Sequence, residues 1–191
     1  MKKKCVTFYL QVCGVNELSL SGKEIIIFAE NLYEELELWY PYYRMIEEGA
    51  NVKIVGTNAD PHYKYKGKNG YPVVSDLTIK DVDIDKIDAI LIPGGFAPDY
   101  LRRNEMIVNL VKNAYNKGKI IGAICHGPSV LISANIVRGK KITSYFAIKQ
   151  DVINAGATYL DQKVVRDGNL ITSRKPDDLP DYCKEIINAL K

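Results

Sequence analysis

Histidine is scarce in this 191-residue chain, with only His62 and His126 present. The four cysteines, Cys5, Cys13, Cys125 and Cys183, form no CxxC pair and no metal-ligand spacing. These two shortages leave no ligand set for a metal, and none is expected. Neither a G-x-G-x-x-G run nor a P-loop lysine occurs, which argues against a nucleotide module and leaves no cofactor expected. A long apolar run is missing too. Lys2-Lys3-Lys4 resembles a secretory n-region, but Gln11, Asn16 and Glu17 break up the stretch after it, so neither a signal peptide nor a membrane span is expected. Excess charge of one sign is also lacking. The formal net charge of +3 is too small to imply nucleic acid or a membrane surface as partner. The expected compartment is therefore the cytoplasm, which keeps thiols reduced and leaves cysteine available as a working group.

The length suits one domain, and 47% hydrophobic with 26% charged residues is ordinary for a globular one. Residues 1–22, with mixed polarity and a Ser-Leu-Ser-Gly turn at 19–22, read as an N-terminal extension to a domain over 23–191. Continuous apolar runs predict buried strands at 23–28, 51–55, 87–92 and 119–124. Helices are predicted over 35–48, 105–117, 127–135, 147–155 and 178–190. Pro41 should kink the first of these or mark its true start. The Lys/Tyr/Gly-rich stretch 58–70 reads as a loop or irregular hairpin, and Asp167-Gly168 as a hairpin turn between strands near Val164 and Leu170. A short strand is expected near Ile142. Strands alternating with helices predict an α/β three-layer sandwich, a mostly parallel sheet with helices on both faces.

Ligands of such sheets bind at the carboxyl ends of strands, and two ends here carry unusual residues. Pro93-Gly94-Gly95 follows one strand, and Cys125-His126-Gly127-Pro128 follows another. Cys125 falls between a strand and a helix on a turn that Gly122, Ala123 and Gly127 permit, the geometry of a nucleophile elbow with sulfur in place of oxygen. Helix-start amides should then favour the thiolate and lower its pKa. Gly95 and His126 N–H groups could form an oxyanion hole beside Gly94, each donor worth roughly 3 kcal/mol in a transition state. A lone cysteine is commonly a small buried hydrophobe, and Cys5, Cys13 and Cys183 read that way. His62, in a polar loop, reads as solvated.

The runs Glu34-Glu35-Leu36-Glu37-Leu38-Trp39-Tyr40-Pro41, Ile92-Pro93-Gly94-Gly95-Phe96-Ala97-Pro98-Asp99 and Ala123-Ile124-Cys125-His126-Gly127-Pro128 occur in this order. Thr143-Ser144-Tyr145, Asn154-Ala155-Gly156-Ala157 and Ile171-Thr172-Ser173-Arg174 come after them. In this ordered set the chain resembles the ThiJ/PfpI superfamily, in particular its PfpI branch of intracellular cysteine peptidase-like proteins. The resemblance covers about residues 23–191. It implies a flavodoxin-like sheet, a reactive Cys125, and Glu34 approaching the sulfur, with Glu35 and Glu37 as competitors for that place. It further implies that Asp99 of a neighbouring subunit reaches His126, so that the chain works as a homo-oligomer, a dimer or a hexamer. Tyr145 is placed near the site. Class I glutamine amidotransferases share the fold but take their base from a histidine far downstream; none follows His126, so a glutaminase is not expected.

The leading expectation is a cysteine-dependent hydrolase of the peptidase type, with Cys125 as nucleophile, His126, Glu34 and Asp99 in support, and a peptide or small carbonyl substrate. The same nucleophile suits a cofactor-free glyoxalase or protein deglycase acting on methylglyoxal-type aldehydes. A third expectation is a redox-sensing or chaperone-like stress protein whose thiolate is oxidised rather than turned over.

Overall fold

The apolar runs of the sequence become the middle of one sheet. In the computed structural model, which describes residues 18–191, strands β1 (Glu24–Ala29), β2 (Asn51–Gly56), β5 (Leu77–Thr78), β6 (Ala89–Ile92), β7 (Ile120–Ile124), β10 (Val164–Asp167) and β11 (Leu170–Ser173) lie in the order β10-β11-β7-β6-β1-β2-β5. All pairings are parallel except β10 with β11. The central strands β6 and β7 are buried at every position, as expected of a sheet covered on both faces. β3 (Lys64–Lys66) and β4 (Pro72–Val74) form a separate antiparallel hairpin, and β8 (Lys141–Ile142) pairs with β9 (Thr158–Tyr159).

Helices α1 (Glu35–Glu47) and α6 (Leu179–Leu190) cover one face of the sheet. On the other lie α3 (Glu105–Asn116), α4 (Pro128–Ser133) and α5 (Lys149–Asn154), with α2 (Ala97–Leu101) packed against α4. Two apolar clusters result, one on each side. Ile25, Ile27, Leu91 and Ile124 face the first, whereas Ile26, Phe28, Ile90 and Ile92 face the second. The alternation along β1 and β6 is the period-2 pleat of a strand.

Several expectations are refined. Helix α1 runs through Pro41 rather than starting there. Because proline has no N–H, the Glu37 carbonyl four residues earlier has no helical donor. The 58–70 stretch supplies β3 and the tip of the hairpin, and the two-residue connection between β10 and β11 is Gly168-Asn169, one position beyond the expected turn. Of the N-terminal extension, residues 1–17 lie outside the described residues, and with them any reading of Cys5 and Cys13. Leu20 is fully buried in the first cluster, so the packed domain reaches back past Lys23. Among the described residues no helix is long and apolar enough to cross a membrane.

Strand order reverses between β1 and β6. From β1 the chain winds outward to β2 and β5, and from β6 it winds the other way through β7 to β11. This is a topological switch point, where the loops leaving two adjacent strands diverge and open a crevice.

Candidate active site

Cys125 follows the last residue of β7 and takes φ = 61°, a left-handed conformation that costs a non-glycine residue about 1 kcal/mol. Two hydrogen bonds hold it there. Its N–H donates to the Ser173 carbonyl at 3.0 Å, and its carbonyl accepts from Tyr145 N–H at 2.9 Å. Gly127 closes the turn by donating to the Ile124 carbonyl at 2.7 Å. A Cβ at position 127 would lie 2.6 Å from the Ile92 carbonyl, so only glycine fits. The elbow read from the sequence is therefore present, with the helix entering at Pro128.

The two glycines after β6 divide their work. Gly94 N–H donates to Glu37 Oε2 at 2.8 Å, while Gly95, at φ = 73°, and His126 turn their N–H groups to the Cys125 sulfur. A Cβ on Gly94 would fall 2.6 Å from both Cys125 Cβ and Glu37 Oε2, so the missing side chain is what lets acid and sulfur meet.

The carboxyl at the sulfur is that of Glu37. Of the three acids left open by the sequence, Glu37 is buried at 2% exposure and lies beside the Cys125 side chain, the two meeting over Gly94. Glu34, which the resemblance put in that place, instead forms an ion pair with Lys68 at the edge of the same cavity. Glu35 turns away and accepts from Asn69 N and Nδ2 at 2.7 and 2.8 Å. The cause is helical spacing. Glu34 is the N-cap of α1, and Glu37 lies three residues on, nearly one turn along the same face.

Burial governs the electrostatics. It pushes the Glu37 carboxyl up to about 8, opposed by the Gly94 N–H, so the acid is protonated at neutral pH. Burial, and then the negative charge of Glu37 when ionised, push the Cys125 thiol up to about 12, against the pull of the Gly95 and His126 amides. The lowered pKa expected from the amides alone is thus corrected: the desolvation of the sulfur outweighs them in this protomer. Thiol and carboxyl form one coupled pair, and the first proton lost belongs to both.

His126 Nδ1 lies 3.3 Å from Sγ, so the adjacent side chains converge rather than diverge. Burial holds the imidazole below its ordinary value, opposed by the charge of Asp99 and assisted by Lys68. The Tyr145 ring lies against it, with centroids 5.2 Å apart. Asp99 is exposed on α2 and lines an adjoining groove with Leu32, Phe96, Tyr100, Arg102 and Arg103, not the sulfur cavity. His62 is exposed and Cys183 buried in the core, as expected. The cavity over the sulfur measures about 470 Å³. Two of its walls were not read from the sequence, Lys68 from the hairpin tip and Lys175 from the loop after β11. Nothing local marks either lysine; only the tertiary fold brings them in.

Comparison with known proteins bears on the family and the fold. The profile described as the DJ-1/PfpI family matches residues 23–189. A Pyrococcus furiosus protein named deglycase PfpI is 42% identical over 168 residues, covering 88% of this chain and 99% of its own length. A Bacillus subtilis protein named as a candidate cysteine protease, YraA, is 41% identical over 170 residues, covering 89% and 99%. Among solved structures, an Anabaena variabilis protein with DJ-1/ThiJ/PfpI-like and ferritin-like domains superposes with a TM-score of 0.85 at 41% identity, over 88% of this chain and 48% of that one.

Proposed function

The chain belongs to the DJ-1/PfpI family, and from that premise we propose that it is a cysteine-dependent enzyme acting on small aldehydes and their adducts, in the manner of a deglycase. The observation that carries this reading is a buried carboxyl beside the sulfur: Glu37 is 2% exposed, its Oε2 accepts from Gly94 N–H at 2.8 Å, and burial pushes it up to about 8. An acid so placed can give and take a proton at neighbouring atoms near neutral pH. For a 2-oxoaldehyde, Cys125 Sγ bonds to the aldehyde carbon while the thiol proton passes to the carbonyl oxygen, giving a hemithioacetal. Gly95 and His126 N–H groups hold that oxygen as charge develops on it. Glu37 then moves a proton from the thiol-bearing carbon to the adjacent carbonyl carbon by way of an enediol. The oxidation levels of the two carbons exchange, and the product is a thioester. Water cleaves the S–C bond, releasing a 2-hydroxy acid and restoring the thiol, so no external oxidant or reductant is needed.

The size of the cavity favours a small substrate over a polypeptide. About 470 Å³ bounded by Lys68, Phe96, Tyr145 and Lys175 lies within the range of small-molecule sites. A peptidase reading draws on the contact of His126 Nδ1 with Sγ and on the name of the Bacillus relative. In that reading Asp99 of a neighbouring subunit would orient the imidazole. A sensor reading needs an easily formed thiolate, and the raised Cys125 thiol counts against it.

Steady-state turnover of methylglyoxal and of a fluorogenic peptide, compared between wild type and Cys125→Ser, separates these readings. The expected result is methylglyoxal turnover that falls at least about 100-fold in the variant. Cys125-dependent peptide cleavage in the absence of aldehyde turnover would overturn the assignment in favour of a peptidase.

A further inference from the structure

Glu37 and Cys125 are served by main-chain amides, but the cavity also holds a cation that the mechanism above does not use. Lys68 is carried on the tip of the β3–β4 hairpin, far from Cys125 in sequence. Several contacts fix that tip to the segment leading into α1. Lys68 N–H donates to the Tyr33 carbonyl at 2.9 Å and Leu32 N–H to the Lys66 carbonyl at 2.7 Å. Asn69 gives two hydrogen bonds to the Glu35 carboxylate. Gly67 packs directly on that carboxylate, leaving no space for a Cβ. With its main chain held on both sides, Lys68 extends into the cavity and pairs with the buried Glu34 carboxylate.

We propose that Lys68 is a positioning residue that acts electrostatically on the Cys125–Glu37 pair, with Glu34 as its counterweight. The inference rests on Cys125 and Glu37 being the reacting groups of the proposed function. Its physical basis is that a positive charge favours the anionic form of the pair and a negative charge opposes it. Consistent with this, Lys68 draws the Glu37 carboxyl down and Glu34 pushes it up. The other ionisable groups facing the sulfur are His126, Tyr145, Lys175 and Asp177, with Tyr182 of α6 behind Glu37 and Asp99 acting on His126. Lys175 is paired with Asp177 at 3.0 Å, both well exposed, so solvent screens their effect. Lys68 and Glu34 therefore supply the principal opposed charges at the Glu37 member of the pair.

The two halves of this ion pair predict opposite outcomes, which separates an electrostatic role from a bracing one. The measurement is the iodoacetamide alkylation rate of Cys125, read by peptide mass spectrometry at a fixed pH below the midpoint, where rate follows the thiolate fraction. Lys68→Met should slow alkylation about threefold, a midpoint shift of roughly half a unit, and Glu34→Gln should speed it by a similar factor. Lys68→Arg should restore the wild-type rate, and raised salt should narrow the differences. A pair that merely braces the hairpin would move both single variants in the same direction; that result, or an unchanged rate in a folded Lys68→Met protein, overturns the proposal. Alkylation is read without turnover, so failure of the aldehyde assignment and failure of this inference are distinguishable.

Discussion

At the residue scale, Glu37 joins chemistry to stability. A carboxyl raised from its ordinary 4.5 to about 8 binds a proton in the folded chain over a range where the unfolded chain has lost it. Its contribution to folding stability therefore falls as pH rises from about 4.5 to about 8 and is flat outside that window. Glu37→Gln keeps an oxygen for the Gly94 N–H but removes the titration. We expect its stability relative to wild type to be unchanged near pH 4 and greater above pH 8 by on the order of a few kcal/mol, read as a higher melting temperature there, with aldehyde turnover lost. Parallel melts at the two pH values check this; equal melting temperatures at both would mean that the acid is not held protonated. Cys125 could be read from sequence because strand, turn and helix meet within four residues. The choice among Glu34, Glu35 and Glu37 was not legible there, because it depends on which way a helical N-terminus faces. The direction of the thiol shift was hidden for a related reason: amides can be counted from a turn, but burial cannot.

At the scale of elements, the elbow holds a residue that prefers another conformation. Cys125 sits at φ = 61° because its main-chain N–H and C=O are bound to Ser173 and Tyr145. Glycine occupies that region without penalty. Cys125→Gly is thus expected to be more stable than Cys125→Ala by about 1 kcal/mol, although it removes more buried volume. Chemical denaturation of the two variants measures the difference, and the reverse order would show that the elbow is unstrained. The long elements around it were legible because each carries an uninterrupted period, as in β6 and β7. The β3–β4 hairpin was less so, because its three-residue strands pair only with each other, and each carries one buried residue, Tyr65 and Val73. The passage of α1 through Pro41 reflects tertiary packing, since that proline is buried in the body of the domain.

At the scale of the whole molecule, apolar side chains gather around the mouth of the site. Phe96 is 62% and Phe146 72% exposed, with Leu32 and Tyr100 close to Asp99 in the adjoining groove. A second copy seated there would cover this surface, as the homo-oligomer implied by the resemblance requires. Tyr100→Glu, outside the sulfur cavity, should shift the protein to a smaller species in sedimentation velocity and lower its turnover. A wild-type protein that sediments as a fully active monomer would count against the assembly.

The directionality of the sheet has a practical consequence. Because parallel strands deliver the sulfur, the glycine amides and the loop bearing Lys175 to one pole, the opposite pole bears none of this chemistry. The Gly168-Asn169 connection lies there, four residues back along β11 from the bond that anchors Cys125. Asn169 is needed, since its side chain ties the Tyr115 and Lys119 carbonyls, but a Cβ at Gly168 would meet only open space. Gly168 is at φ = 65°, so a side chain there costs about 1 kcal/mol but meets no neighbour, and a linker or label attached at this connection leaves the pole bearing Cys125 facing solvent.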